Sequence, residues 1–374
     1  MKILIAPDKF KGSLSAQKVS EAIKEGFLHS GKELDYKIIP MADGGEGTAA
    51  MLAEYTGGKM IQVEVKDPFF RSIQASYGIS GDGKTAFVEM ASASGLQLLS
   101  PGERNARRGA TFGTGQLIRS ALDHGVSQVV LGVGGSGTND GGIGMGEALG
   151  ARFFDLAGNQ LKPVGESLIH IKSVNLENLD PRLKSVTFTA ICDVDNPLTG
   201  LQGAAHVFGP QKGATSDDVE FLDKGLKNFA RVVNSQLGID INFPGAGAGG
   251  GLGGGARIFF DVRFQPGMRF ISDFIHLDEA VKAADLIITG EGKIDEQTLS
   301  GKVVKGIADV CKAFNKPLVV VVGKNELSPE KLGLLGIKKV VALMDGKTSE
   351  AEAFENTYKL VEKRVKEEVA PFFL

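Results

Sequence analysis

At 374 residues and 42 % hydrophobic composition, the chain is long and apolar enough for two globular domains, which excludes both a single small core and a disordered chain. Its 42 basic and 45 acidic residues leave a net charge of −3 with no long basic block, so electrostatics support neither a nucleic-acid partner nor an anionic membrane surface. Two distant cysteines, Cys192 and Cys311, exclude a disulfide framework, and the five histidines lack zinc spacing.

The N-terminus "MKILIAPDKF" is too short in apolar residues for a secretory leader, and no apolar run reaches the ~18 residues of a membrane span, so the expected location is the cytoplasm. Residues 2–6 read as a strand, followed by a helix over 16–28 with Ala16, Val19, Ile23 and Phe27 on one face. A strand over 36–39 leads through "MADGGEGTAAML" into a second helix, and strands at 61–65, 73–77 and 86–90 then break the alternation. Val129, Val130, Leu131 and Val133 form a buried strand; a glycine-rich turn separates it from a helix carrying Ile143, Met145 and Ala148. The alternation returns with strand 284–289, a helix over 303–314 with Val304, Ile307, Ala308 and Cys311 inward, and strands 318–322 and 339–343. A final helix carries Phe354, Tyr358, Val361 and Val365 as its apolar stripe. The expected fold is α/β in two domains: a Rossmann-like parallel-sheet domain from 1–75 and 280–374, and an inserted α/β domain over 76–279.

Two familiar patterns mislead. Gly132, Gly134 and Gly137 spell G-x-G-x-x-G after a strand, with Asp155 near the spacing of a ribose-binding acid. The turn nevertheless stays polar through "SGTNDGG", where a dinucleotide turn passes straight into a helix. "GISGDGKT" fits G-x-x-x-x-G-K-T at Gly78 to Thr85, yet "TAFVEM" alternates as a strand, so Asp82–Gly83 marks a hairpin and not a P-loop.

The chemistry gathers on polar loops that follow strands, where α/β proteins keep their sites. "APDKFKGSLSA" carries Asp8, Lys9, Lys11 and Ser13; "MADGGEGT" carries Asp43 and Glu46; "GSGTNDGG" carries Asn139 and Asp140. "ICDVDNPLTG" carries Asp193 and Asp195, and "ITGEGKIDEQTLSGK" carries Glu291, Lys293, Asp295 and Lys302. "FPGAGAGGGLGGGA" offers only backbone. Phosphoryl transfer asks for this inventory: acids for Mg²⁺, lysines and N–H groups for phosphate charge, and one acid to accept a hydroxyl proton. A nicotinamide-dependent hydroxyacid dehydrogenase, resting on the glycine fingerprint alone, and a two-lobed small-molecule binding protein are the rival readings.

These blocks, in this order and across the whole chain, resemble the successive signatures of the bacterial glycerate kinase family. Lys9 stands where Ser is expected, Met41 where another apolar residue is usual, and Lys293 where Arg is common. The resemblance implies a two-domain fold with a cleft and ATP-dependent phosphorylation of D-glycerate to 2-phosphoglycerate. On this reading ATP·Mg²⁺ and glycerate meet between the domains. The catalytic candidates are Asp195, Asp193, Lys11, Asp8, Lys293 and Asp295, with Asp193 and Asp195 also the metal candidates. Phosphate and substrate fall to Lys9, Ser13, Asp43, Glu46, Gly134, Gly135, Ser136, Gly137, Thr138, Asn139, Asp140, Gly247, Gly249 and Glu291. Arg104, Arg107 and Arg108 are candidates for the substrate carboxylate, or else the exposed face of a helix. Asn196–Pro197 favours a turn at Asp195, which would turn that acid toward the cleft and leave Asp193 near the strand end. The partners are small molecules, and the sequence is compatible with a homodimer.

Overall fold

The computed structural model describes residues 1–28, 32–42, 44–300, 302–346 and 348–373. The chain forms two compact units, one from residues 1–43 with 268–374 and the other from 44–267. In chain order the strands are β1 (Lys2–Ile5), β2 (Asp35–Ile38), β3 (Lys59–Lys66), β4 (Ser72–Ile79), β5 (Thr85–Glu89), β6 (Gln128–Gly132) and β7 (Arg152–Phe154). They continue as β8 (Ser173–Asn175), β9 (Thr187–Ile191), β10 (Val262–Gln265), β11 (Leu286–Ile294), β12 (Leu318–Asn325) and β13 (Ile337–Ala342).

The first unit is a five-stranded sheet in the order β13-β12-β11-β1-β2, and every pairing is parallel. Leu318 to Val322 of β12 are fully buried, as a parallel strand covered on both faces requires. Helix Ala16–Leu28 buries Val19, Ile23 and Phe27 against this sheet at four-residue steps. Its Gly26 lies against the C-terminal segment so closely that an added Cβ would fall 2.7 Å from both the Glu362 carbonyl oxygen and Val365 Cβ. That segment is not the single helix read from the sequence. It runs as helices Glu350–Glu355 and Thr357–Arg364, a π-turn over Val365–Val369, and a last turn Ala370–Phe373. The buried stripe is Ala353, Thr357, Val361, Val365 and Val369, while Phe354 is 47 % exposed. The interruption at Asn356 rotates Phe354 off the face that the four-residue rhythm predicts.

The second unit holds a six-stranded sheet in the order β10-β9-β6-β5-β4-β3, parallel from β10 to β5 and antiparallel from β5 to β3. A short antiparallel pair, β7-β8, stands apart from it. The division falls at 43/44 and 267/268, whereas the expected boundary at 75 lies within β4. The reason is helix Thr48–Tyr55, which follows a strand and so reads as another βα unit of the first domain. It packs instead on β4 and β5: the Ala49 N–H donates to Glu89 Oε1 at 2.8 Å, and Gly78 gives it room. β3 then pairs with β4 along its whole length, Lys59 with Ile79 through Lys66 with Ser72.

β4 and β5 are joined by a tight turn in which Asp82 Oδ1 accepts from Ser80 Oγ and the Lys84 N–H, so the Walker-like sequence is a hairpin. Both cysteines are free. The Cys311 thiol is buried and pushed up to about 12, which makes it inert. Among the described residues no helix is long and apolar enough to cross a membrane.

Candidate active site

In the first unit the chain steps from β1 to β2 on one side of the sheet and from β11 to β12 on the other, so β1 and β11 flank a topological switch point. Ligands of open parallel sheets sit outside the carboxyl ends of the strands at this point. The loop after β1 lies against β11 there: the Asp8 N–H donates to the Gly290 carbonyl at 2.8 Å. Glu291 is 8 % exposed, and Thr298 Oγ1 donates to its Oε1 at 2.9 Å. Burial, with smaller contributions from Asp8 and Asp295, pushes the Glu291 carboxyl up to about 7 against the opposing influence of Thr298 and Lys302. The structure thus brings Asp8, Glu291, Asp295 and Lys302 into one electrostatic cluster. A carboxyl that titrates near neutrality beside a specific charge set is a mark of functional sites.

Glu291 and Lys293, expected on a loop, lie within β11, where they pair with Val322 and Lys324 of β12; the remaining residues of the two segments are placed less directly. Lys9 is half-buried and its N–H donates to Asp8 Oδ1 at 2.6 Å; Lys11 is exposed. Ser13 was expected to meet phosphate. Its hydroxyl instead donates to the Phe354 carbonyl at 3.2 Å and pairs with the Thr357 hydroxyl, so it ties the loop to the C-terminal helices. Lys293, expected to clamp phosphate, forms ion pairs with Asp295 at 2.8 Å and Glu326 at 3.2 Å, Asp295 being the stronger influence on its raised pKa. A phosphate would have to displace both carboxylates.

In the second unit the parallel strands bring their carboxyl ends to one edge of the sheet. After β6 the turn exposes Gly134 and Gly135 and buries Ser136, Gly137, Thr138, Asn139 and Asp140. Asp140 was expected to face substrate or phosphate. Its Oδ2 accepts from the Thr111 N–H at 2.7 Å, Thr111 Oγ1 at 2.8 Å and the Gly144 N–H at 3.1 Å, and its Oδ1 from the Gly142 N–H at 3.1 Å. These bonds offset the burial that raises its pKa and occupy the amides of the following helix, Ile143–Ala148. Asp140 therefore holds the turn together and has no capacity left for an anion. Ten residues separate the end of β6 from the start of the helix, too many for a dinucleotide turn. Asp155 accepts from Ala157, Asn159 and the Asn159 side chain in its own local turn.

The second glycine-rich segment enters helix Ala248–Phe259 through Gly249, Gly250 and Gly251, at φ of 64°, 72° and 90°. It was expected to present N–H groups to an anion. The Gly247 N–H is spent on the Asn196 carbonyl at 2.9 Å, and a Cβ on Gly250 would fall 2.0 Å from the Thr138 carbonyl oxygen. These glycines let two backbones touch and seat the turn after β6 on a buried support.

After β9, Asp193 and Asp195 are both exposed, and Asp193 Oδ1 accepts from the Gly267 N–H at 2.7 Å. Gly44, which precedes helix Thr48–Tyr55, approaches Ile191 at the end of β9 and Gly267 beyond β10; Glu46 is exposed in the same segment. Asp43 lies outside the described residues. Among the described residues no three His, Cys, Asp or Glu side chains converge as a metal-binding group. The "ERNARR" segment is not a helix. A short 3₁₀ turn, Pro101–Glu103, is followed by loop, and Arg107 pairs with Asp218 at 3.2 Å and stacks on Phe221.

Sequence reasoning missed Lys212. It ends a 3₁₀ turn, Pro210–Lys212, is 1 % exposed, and donates from Nζ to Ser136 Oγ and to the Thr138 carbonyl, both at 2.7 Å. "GPQKGA" reads as an ordinary surface turn; nothing in the local pattern marks that lysine as buried.

The family model described as the glycerate kinase family matches residues 3–373. A glycerate kinase of Haemophilus influenzae is 47 % identical over 327 residues, covering 86 % of each chain. Glycerate 2-kinase of Escherichia coli strain K12 is 41 % identical over 359 residues, covering 96 % of this chain and 94 % of that protein. A crystal structure from Salmonella typhimurium LT2, assigned as glycerate kinase 2, superimposes with a TM-score of 0.90 at 42 % identity, covering 100 % of this chain and 98 % of the other.

Proposed function

Because the chain belongs to the glycerate kinase family, we propose that it transfers the γ-phosphoryl group of ATP to the 2-hydroxyl of D-glycerate. In that step the hydroxyl oxygen forms a bond to the γ-phosphorus, the bond to the β-phosphate oxygen breaks, ADP leaves, and the hydroxyl proton passes to a carboxylate. The observation that carries this reading is the cluster of Asp8, Glu291, Asp295 and Lys302 at the switch point. A general base works best with a pKa near the working pH, and Glu291 meets that condition. We assign Glu291 the proton, with Asp8 and Lys302 setting its charge balance.

The turn after β6 supplies N–H groups to phosphate, and exposed Lys11 supplies a cation. Asp193 and Asp195 suit Mg²⁺, which retains waters and takes one or two protein carboxylates alongside the nucleotide phosphates. When bound, the ion would neutralise phosphate charge. We place the reaction in the cytoplasm, where thiols such as Cys192 and Cys311 stay reduced. The test is to incubate the protein with D-glycerate, ATP and Mg²⁺ and to record the phosphorus NMR spectrum. A phosphate on the 2-carbon couples to one proton and gives a doublet; a triplet would show transfer to the 3-hydroxyl, and no new ester would refute the reading.

A further inference from the structure

Lys212 is a buried amine without a carboxylate in hydrogen-bonding contact, and burial pulls its pKa down to about 7 against the weaker opposing field of Asp140. Its two short bonds go to Ser136 and to the Thr138 carbonyl, and Asp140, whose field favours the charged lysine, is already occupied by the Thr111, Gly142 and Gly144 donors. A cation in this position is costly to bury, and that cost offsets much of what its two hydrogen bonds to Ser136 and Thr138 contribute to the fold. The turn it touches is pinned from the other side too: the Gly137 N–H donates to the Ser94 carbonyl at 2.8 Å, and the Leu96 N–H to the Gly135 carbonyl at 2.9 Å. What those fixings leave outward is the backbone of Gly134 and Gly135. Both are exposed, and among the described residues their N–H groups donate to no backbone carbonyl. Behind them Thr138 Oγ1 and both amide atoms of Asn139 are buried without a partner, so the interior of the turn is polar, as anchorage by water or by a cation requires.

We propose that Lys212 is a positioning residue for the nucleotide phosphates. It holds Ser136 and Thr138 so that the Gly134–Gly135 N–H groups point at a phosphate, and a bound polyanion would favour its protonated form. This rests on the assignment of the turn to phosphate made above. The inference adds the residue that shapes the turn and the ligand, a nucleoside triphosphate, that the turn takes. Charge buried behind oriented amides acts over a short, water-poor distance, where it is screened least.

The test compares wild type with Lys212→Met and Ser136→Ala by titration with ATP and Mg²⁺, by steady-state kinetics and by thermal unfolding. Lys212→Met should stay folded, with an unfolding temperature moderately below wild type because two buried acceptors lose their donor, bind ATP at least about tenfold more weakly, and lower kcat by at least about thirtyfold. The KM for glycerate should stay within about threefold. Ser136→Ala, which keeps the cation and removes one anchor, should weaken ATP binding about threefold with unchanged unfolding. Normal ATP affinity and kcat in a folded Lys212→Met protein would overturn the inference. So would normal Ser136→Ala behaviour if Lys212→Met fails to fold, since Lys212 would then serve the fold alone. If wild type binds ATP but does not phosphorylate D-glycerate, the proposed reaction falls, and the loss of ATP affinity in Lys212→Met still decides the role of Lys212. A wild type that binds no ATP overturns both.

Discussion

Replacing Glu291 by Gln keeps the shape of the side chain and the oxygen that accepts from Thr298 Oγ1, but removes the ionisable group. The native fold raises this carboxyl from 4.5 to about 7, chiefly by burial, which corresponds to about 3 kcal/mol of disfavoured ionisation. The sign follows from proton linkage. A folded chain that binds the proton more tightly than the unfolded chain has its full stability below the unfolded pKa and loses it as pH rises through the folded one. Wild type should therefore lose about 3 kcal/mol in the first unit between about pH 4.5 and pH 8, and Glu291→Gln should not. Hydrogen exchange of the β1 and β11 amides, compared between the two proteins at the same pH, reads this locally without assuming that both units unfold together. At pH 5 the two should match within about 1 kcal/mol; at pH 8 the variant should be better protected by about 3 kcal/mol, more than a hundredfold in exchange rate. The same variant should lose at least about a hundredfold in kcat, the low end for a removed general base. Equal protection ratios at both pH values would show that Glu291 is not held neutral by the fold, and the reasoning about the switch-point cluster would fail with it.

Gly26→Ala should destabilise the first unit by about 1–3 kcal/mol, measured by denaturant unfolding, because the new methyl meets a carbonyl and a side chain on the packed C-terminal segment. Lys84→Ala should leave kcat/KM within about twofold; a loss of two to three orders of magnitude, about 3–4 kcal/mol, would restore the P-loop reading of the hairpin. Activity should vanish in EDTA and return with Mg²⁺, and Asp195→Asn should raise the Mg²⁺ concentration needed for half-maximal rate, whereas full turnover in chelator would remove the role given to the two acids after β9. Asp140→Asn should cost about 2–4 kcal/mol by thermal or chemical unfolding, because an amide nitrogen would face backbone donors that now meet oxygen.

Local chemistry was enough for much of this protein. The run Leu318 to Val322 has no polar residue to place on a face, so it had to be a covered strand, and it is. An Asp-Gly step between two alternating segments had to be a hairpin, whatever motif its letters also spelled. The loops that carry Asp8 and Asp193 follow strands in the chain, and parallel pairing puts them at the strand ends; Glu291, expected on such a loop, lies within β11, which continues through Ile294 by pairing with β12. What the sequence could not contain is burial produced by distant segments. Lys212 is a turn lysine until residues 74 and 76 positions earlier close over it, and Asp140 is a loop acid until Thr111, 29 positions away, donates to it. Helix Thr48–Tyr55 follows a strand as a domain's second βα unit would, yet it buries its face on β4 and β5, and that contact moved the division of the chain. A charge and a helix face are local properties; the partner that gives each its meaning is selected only when the sheets assemble.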